Sequence, residues 1–438
     1  YQRTVKIHTI QNLTYYSKNK GKKMTKGIKQ SSKKSKLKFN IYTAFIIILF
    51  TALVLAELFA SRSFLDEIVG ILSAFYLIVF RSKMERRDVI TIILLAVVCL
   101  FGLVSNFISG LTSDYFSVFI DILAEAKIIL SFFAVKYFLN DKEKQSIIEL
   151  LTGFSIIFTT ISFICGIISL FKDIGMSGLE RYGVRSFHFI FDMEHQYTAV
   201  YMLVFAVLVC NTRMKHSTKI LFYLMAMISM ILTTKAPPIL FSIIFIGLAF
   251  YFKRHKKLSA FIIILGVIAI VIAGQYQIQT YLLSEDSPRH LFFKYAFKTA
   301  NNYFPFGSGF ATYGSDQASR NYSHLYYQYG FNKLNGMNPE NPAFLSDTFW
   351  PMAIGQFGWV GSILYAIVYL RVFLTLKNDK FSNEKRAFVY ACYLQYMIHA
   401  IGSAILSSSA GMIGFMGLAL VTELDESQEK SGRLNIRI

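Results

Sequence analysis

The chain of 438 residues is 54% hydrophobic and only 16% charged, yet carries a formal net charge of +19. It is more apolar and less charged than a soluble globular domain, and its apolar residues gather into runs of roughly 17 to 25, the length an α-helix needs to cross a bilayer. That spacing argues against a single soluble core. The placement of the basic residues, which alternate with the apolar runs, argues against nucleic-acid binding.

In chain order, the basic segment 1–40 reads as a cytoplasmic tail facing anionic lipid. Met24-Thr25-Lys26 opens a plausible natural start, which would make 1–23 upstream sequence, and no function is assigned to it. Apolar runs follow at 41–60, 64–80, 89–108, 115–139, 147–171, 197–212, 217–233, 236–252 and 259–275 and, after a long polar stretch at 276–349, at 350–374, 387–406 and 409–423. The expected fold is an all-α polytopic membrane protein of about twelve transmembrane helices, with about eleven as the alternative because only Ser407-Ser408 separates the last two runs. Helices would occupy 41–275 and 350–423, with a short tail at 424–438.

Arg81, Lys83, Arg86 and Arg87 follow the second run, and Lys253, Arg254, Lys256 and Lys257 follow the eighth. Such clustering is the positive-inside bias of short loops; it places both termini in the cytoplasm and 276–349 outside. Cys99, Cys165, Cys210 and Cys392 fall inside runs without CxxC spacing and read as core residues. No GxxxxGK[ST] phosphate loop and no HExxH occurs, so neither ATP hydrolysis nor zinc chemistry is indicated. No internal repeat is present.

Two outward connections are long, about 172–196 and 276–349. The second is rich in Tyr, Phe and Gly from Pro288 to Trp350, so it has apolar area to bury and is expected to fold as a cap. Within it, 290–302 has helical periodicity suited to a membrane surface, and Pro305-Phe306-Gly307-Ser308-Gly309 reads as a turn whose N–H groups could face a ligand.

Basic residues kept outside, against the general bias, are few, and the main candidates among them are Arg181, Arg185, Lys235, Arg289 and Arg320. Guanidinium forks bind phosphate oxygens bidentately and an ammonium is a point charge, so two or three arginines with a lysine could hold a diphosphate; a solvated or headgroup-facing charge is the plainer alternative for each. His188 and His195 follow the first pair, and Lys235 precedes Pro237-Pro238 at a tight turn. Asp121 and Glu125 share a helix face, with Lys127 close by, inside the fourth run. A charge there costs about 2.5–3.5 kcal/mol, which suggests either an ion path or a buried polar network. The network is favoured, since no second run carries a matching acidic pair. Asp347, where the long loop re-enters the membrane, could act as general base or cap the helix that follows.

The run from Phe304 to Asp316, with Tyr322-Ser323 and Tyr326-Tyr327, resembles the O-antigen and capsular repeat-unit polymerases of the Wzy type, as does Ser346-Asp347-Thr348-Phe349-Trp350 followed by Gly355-Gln356-Phe357-Gly358. Arg181-Tyr182-Gly183-Val184-Arg185-Ser186-Phe187 and the Lys235 turn match in order. The related O-antigen ligases carry histidine where this chain has Asp347 and tend to have arginine at the Lys235 turn. The resemblance implies a GT-C-like glycosyltransferase without cofactor that joins undecaprenyl-diphosphate-linked oligosaccharides on the outer face of the bacterial cytoplasmic membrane. The same resemblance extends to partners in the pathway, a chain-length regulator and a flippase, alongside the lipid bilayer.

It further implies catalytic roles for Arg289 and Asp347 and binding roles for Arg181, Arg185, Lys235, His195, Arg320, Tyr313, Tyr326 and Tyr327. Metal independence is expected, because the nearest approach to an outer DxD pair is Asp192-Met193-Glu194. The rival classes are a flippase for the same lipid-linked sugars, a ligase that passes glycan to another acceptor, and a non-catalytic assembly subunit. The first is disfavoured by the long outer loop and by the lack of internal hydropathy symmetry.

Overall fold

The computed structural model describes residues 64–112, 114–255, 287–378 and 380–422, with a few positions within 45–55, 257–259 and 275–285. By its contacts the chain divides into Tyr1–Ile41 and Tyr42–Ile438, and every described residue belongs to the second unit. The basic segment 1–40, the tail 424–438 and most of the expected runs 41–60 and 259–275 lie outside the described residues.

The described chain is mostly helical. In order come α1 (Leu65–Val79), α2 (Arg86–Ser109), α3 (Tyr115–Phe138), α4 (Asp141–Phe171), a hairpin of β1 (Ser177–Arg181) and β2 (Val184–Phe187), α5 (Glu194–Cys210), α6 (His216–Ile231) and α7 (Ala236–Arg254). The loop then contributes α8 (Pro288–Asn302), α9 (Asp316–Arg320) and α10 (His324–Gln328), and α11 (Phe349–Leu376), α12 (Asn383–His399) and α13 (Ser409–Val421) close the fold. Four of these, α2, α4, α7 and α11, are long and apolar enough to cross a membrane, while α5, α6 and α13 are shorter apolar helices. This is an all-α membrane architecture.

Local chemistry sets the helix ends. Gly110 stops α2 in the left-handed region at φ 59°. Asp114 then caps α3 by accepting hydrogen bonds from the Phe116 and Ser117 amides. α4 starts at Asp141, ahead of the apolar run that begins near 147, because Asn140 and Glu143 form a capping box. The expected run 387–406 is interrupted: α12 ends at His399, and a polar Gly-Ser stretch with a 3-10 turn at Ile405–Ser407 precedes α13. The connection near 172–196 is likewise more ordered than a loop, since Tyr182 and Gly183, both at positive φ, make the tight turn that antiparallel pairing requires.

The most constrained element is α11. Gly358, at φ 62° and ψ −169°, breaks it. A break strands carbonyls that the missing turn would have paired, and in apolar surroundings each must find another donor. The stretch from Pro305 to Tyr313 supplies them: the amides of Ser308 and Gly309 donate to the carbonyls of Gly355 and Gln356, each at 2.9 Å. On its other side, Ser105 and Ser109 of α2 donate to the carbonyls of Phe306 and Ser308 at 2.6 and 2.7 Å, and Asn106 pairs both ways with Phe310 at 2.8 Å. Asp121 of α3 accepts from the Ala311 amide at 2.6 Å and from the Gln356 side chain at 2.9 Å.

Thus Asp121 is a clamp in a buried polar network. Glu125 lies beside the Tyr365 hydroxyl in the same interior. Lys127 meets a carboxylate pair that the sequence reading passed over, Asp66 and Glu67 at the start of α1, with Glu67 at 2.9 Å. Gly70 permits this approach, because an added Cβ there would sit 2.9 Å from Lys127 Cβ.

The loop between α7 and α11 has a core of its own from Phe292 onward, built on Tyr313, Leu325, Tyr326, Phe331 and Leu345, and α8 packs on α11. The stretch 288–345 is therefore a folded cap.

Two expectations test this construction. A Cβ at Gly307 would lie 2.2 Å from the Gly358 amide nitrogen at φ 83°, whereas one at Gly153 in α4 would meet nothing within 4 Å. Gly307→Ala should lower the thermal midpoint in detergent by the equivalent of about 1–3 kcal/mol or more, with Gly153→Ala neutral or stabilising; equal midpoints would count against the clasp. Lys127, only 3% exposed, should cost about 3–5 kcal/mol when replaced by Met, since two buried carboxylates lose their counter-ion. Adding Asp66→Asn and Glu67→Gln to that variant should recover most of the loss in the same melting assay.

Candidate functional site

Five chain segments converge at one end of the helices. α5, α7 and α11 begin there, and α6 and α12 end there. Lys235 sits in the α6–α7 turn, with Nζ 3.5 Å from Glu194 at the start of α5. Ser186, the penultimate residue of β2, has its hydroxyl 2.6 Å from both the Glu194 carboxylate and the Thr233 carbonyl, and the Phe187 amide donates to the Leu232 carbonyl at 2.9 Å. These bonds fasten the hairpin to the α6–α7 turn.

From the cap come Arg289, in the first turn of α8, and Asp347, two residues before α11; they pair at 2.9 Å. The Phe349 amide donates to the Ser403 carbonyl, which ties the start of α11 to the segment after α12, and Gly402 in that segment lies against the Arg289 guanidinium, an added Cβ being 3.8 Å from it. His399, at the end of α12, is close enough to feel the charges of His195, Lys235 and Arg289.

The electrostatics are those of a recess. Asp347 is raised above the ordinary carboxylate range by burial, against the pull of Arg289 and Lys235. Glu194 also pays a burial penalty, but the Ser186 hydroxyl, its own amide, Lys235 and Arg181 more than offset it and hold the carboxyl low. Burial lowers His195 below the usual histidine value, Glu194 opposing and Lys235 assisting. Yet His195 keeps exposed surface, and Arg289, Asp347 and Lys235 are each about a third accessible. These groups are thus partly desolvated and still within reach of a molecule in solution.

The sequence-derived residues divide accordingly. Arg289, Asp347, Lys235 and His195 come together, with Arg181 in electrostatic reach of Glu194. Arg185 instead pairs with Asp173 at 2.9 Å. Arg320 forms an exposed pair with Asp316 one helical turn before it. Tyr313 and Tyr326 are fully buried in the cap: the Tyr313 hydroxyl donates to the Phe292 carbonyl, and the Tyr326 hydroxyl accepts from the Gly314 amide. Tyr327 is exposed and packs edge-on against Tyr322.

The turn at Gly307–Gly309 does not cradle a ligand, because the amides of Gly307, Ser308, Gly309, Phe310 and Ala311 all donate within the protein. Glu194 and His399 join the recess without having been singled out for it. Glu194 was visible in sequence only as half of a poor DxD pair, and His399 lay hidden in an apolar run. Among the described residues, no group of three or more His, Cys, Asp or Glu is placed to hold a metal ion.

No protein-family model matches the chain, and no curated protein matches it in sequence.

The field around His195 gives a signed expectation. Carbethoxylation by diethylpyrocarbonate requires neutral imidazole, so its rate at His195 reports that group's titration. Lys235→Met should move the midpoint to higher pH, because a cation that opposes protonation is gone, and Glu194→Gln should move it to lower pH. Shifts of the opposite sign would contradict the arrangement.

Proposed function

We propose that the protein is a membrane-embedded, metal-independent glycosyltransferase that polymerises undecaprenyl-diphosphate-linked oligosaccharide repeat units on the outer face of the bacterial cytoplasmic membrane, releasing undecaprenyl diphosphate. In this proposal the chain crosses the membrane about twelve times with both termini inside, and the recess opens outward beneath the cap. The carrying observation is the gathering of Arg181, Lys235 and Arg289 around Glu194 and Asp347 at a single helix end. These side chains have an excess of positive charge, which suits an anionic headgroup.

The chemistry requires little more. A diphosphate is a good leaving group, so the protein has to orient two substrates and neutralise charge that develops on the departing oxygen. Arg289 and Lys235 would meet that oxygen. Asp347 holds the Arg289 guanidinium in place and lies at the acceptor side of the same opening. The resemblance of the Phe304–Asp316 and Ser346–Gly358 motifs to the Wzy-type polymerases points to the same substrates.

Purified protein in proteoliposomes, supplied only with a lipid-linked repeat unit, should yield a ladder of longer glycans without added nucleotide. Arg289→Ala and Asp347→Asn should each reduce the ladder by about 10²–10³-fold while leaving the melting midpoint nearly unchanged. Movement of lipid between leaflets with no longer product would establish a transporter, and transfer of glycan only to an acceptor lacking the lipid would establish a ligase.

A further inference from the structure

We propose that His195 is the catalytic base of the transfer, taking the acceptor hydroxyl's proton while Asp347 serves Arg289. This inference rests on the glycosyltransferase proposal above. The base must be accessible to substrate, uncommitted, and next to the cations that hold the diphosphate. His195 meets all three conditions: it has exposed surface inside the recess, its ring makes no hydrogen bond or ion pair among the described residues, and it lies in the field of Lys235 and Glu194.

Asp347 meets them less well. Its carboxylate is held by the Arg289 guanidinium at 2.9 Å and would have to give up that contact to receive a proton. His195 gives up nothing. The charged and titratable groups facing it are Glu194, its chain neighbour, Lys235 from the α6–α7 turn and His399 from the end of α12. Burial and Lys235 favour the neutral ring that a base requires at the outset. Glu194, fixed by Ser186 and Lys235, then favours the imidazolium that forms through its negative charge.

The step balances. The acceptor oxygen forms a bond to the anomeric carbon of the donor glycan, and its proton passes to a ring nitrogen of His195. The bond from that carbon to the diphosphate oxygen breaks, and the electron pair leaves with undecaprenyl diphosphate opposite Arg289 and Lys235. Solvent takes the proton from His195 before the next cycle.

The test uses the proteoliposome ladder assay with two variants, His195→Ala and His195→Gln, alongside the wild type. Both should lose about 10²–10⁴ in kcat with KM for the lipid-linked repeat little changed, and added imidazole should restore part of the activity of His195→Ala. The acid limb of the wild-type pH profile should move to lower pH on warming, as the strongly enthalpic ionisation of an imidazole requires and that of a carboxylate does not. Glu194→Gln should also shift it to lower pH. If both variants keep the wild-type kcat and limb, or lose only KM, His195 is not the base. If the wild type makes no ladder at all, the polymerase proposal itself fails, which is a distinguishable result.

Discussion

The fold depends on one obligation: the carbonyls of Gly355 and Gln356, exposed by the break at Gly358, must be hydrogen-bonded inside an apolar bundle. Water is not at hand there, and an unpaired buried carbonyl costs roughly as much as a typical hydrogen bond is worth several times over. The cap answers by inserting its own backbone, Ser308 and Gly309, into the gap. Glycine is required on both strands of this contact, because Gly307 and Gly358 approach so closely that neither could carry a Cβ. The insertion also decides where the rest of the cap goes. With its middle pinned in α11 and clasped by α2 and α3, the stretch from α8 to Asp347 must leave and return near the same helix end, and Arg289 meets Asp347 across 58 positions of sequence.

Most of the helices were legible in the sequence, because a bilayer-length apolar run leaves few other readings. What was not legible follows from the same physics. The break in α11 lies in a run that is apolar throughout, so hydropathy passes over it, and only Gly355 and Gly358 mark it. The end of α12 at His399 was hidden for the same reason. The glycine turn of the cap was read as a place for a ligand because exposed amides and paired amides look alike in sequence. Aromatic residues in a loop serve cores and ligands equally well, so sequence leaves Tyr313 and Tyr326 open between sugar stacking and packing, and their burial is a tertiary fact. Arg181, Lys235 and Arg289 stood out because the positive-inside pattern leaves few basic residues in the stretches expected outside, and Asp347 because it stands where the long loop meets a helix.

Lys127 shows how a charge inside a helix is made tolerable. It has two carboxylates from α1 around it, Asp66 buried like the lysine itself and Glu67 mostly so. Removal of the lysine leaves two carboxylates without a counter-ion, so these residues are bound to one arrangement. Asp88, Lys136, Tyr137 and Thr375 form a second set of this kind, Lys136 lying 2.7 Å from Asp88, with the exposed Glu85 and Arg87 at its edge. Such buried sets hold the helices they join in one packing arrangement.

The pairs in the recess have the opposite character. Arg289 and Asp347 are 30% and 37% exposed, and Lys235 is 34% exposed opposite Glu194. A partly exposed ion pair is worth about 0–1 kcal/mol, so an incoming anion can share a guanidinium or an ammonium at little cost in stability. The carboxylates keep the cations aimed into the opening before and after the anion arrives. Desolvation supplies the other half of the argument. It raises Asp347 and lowers His195, which means that each group's charged form gains from a bound counter-charge more than it would in open water. A recess whose ion pairs are weak and whose charges are poorly hydrated is one that binding completes.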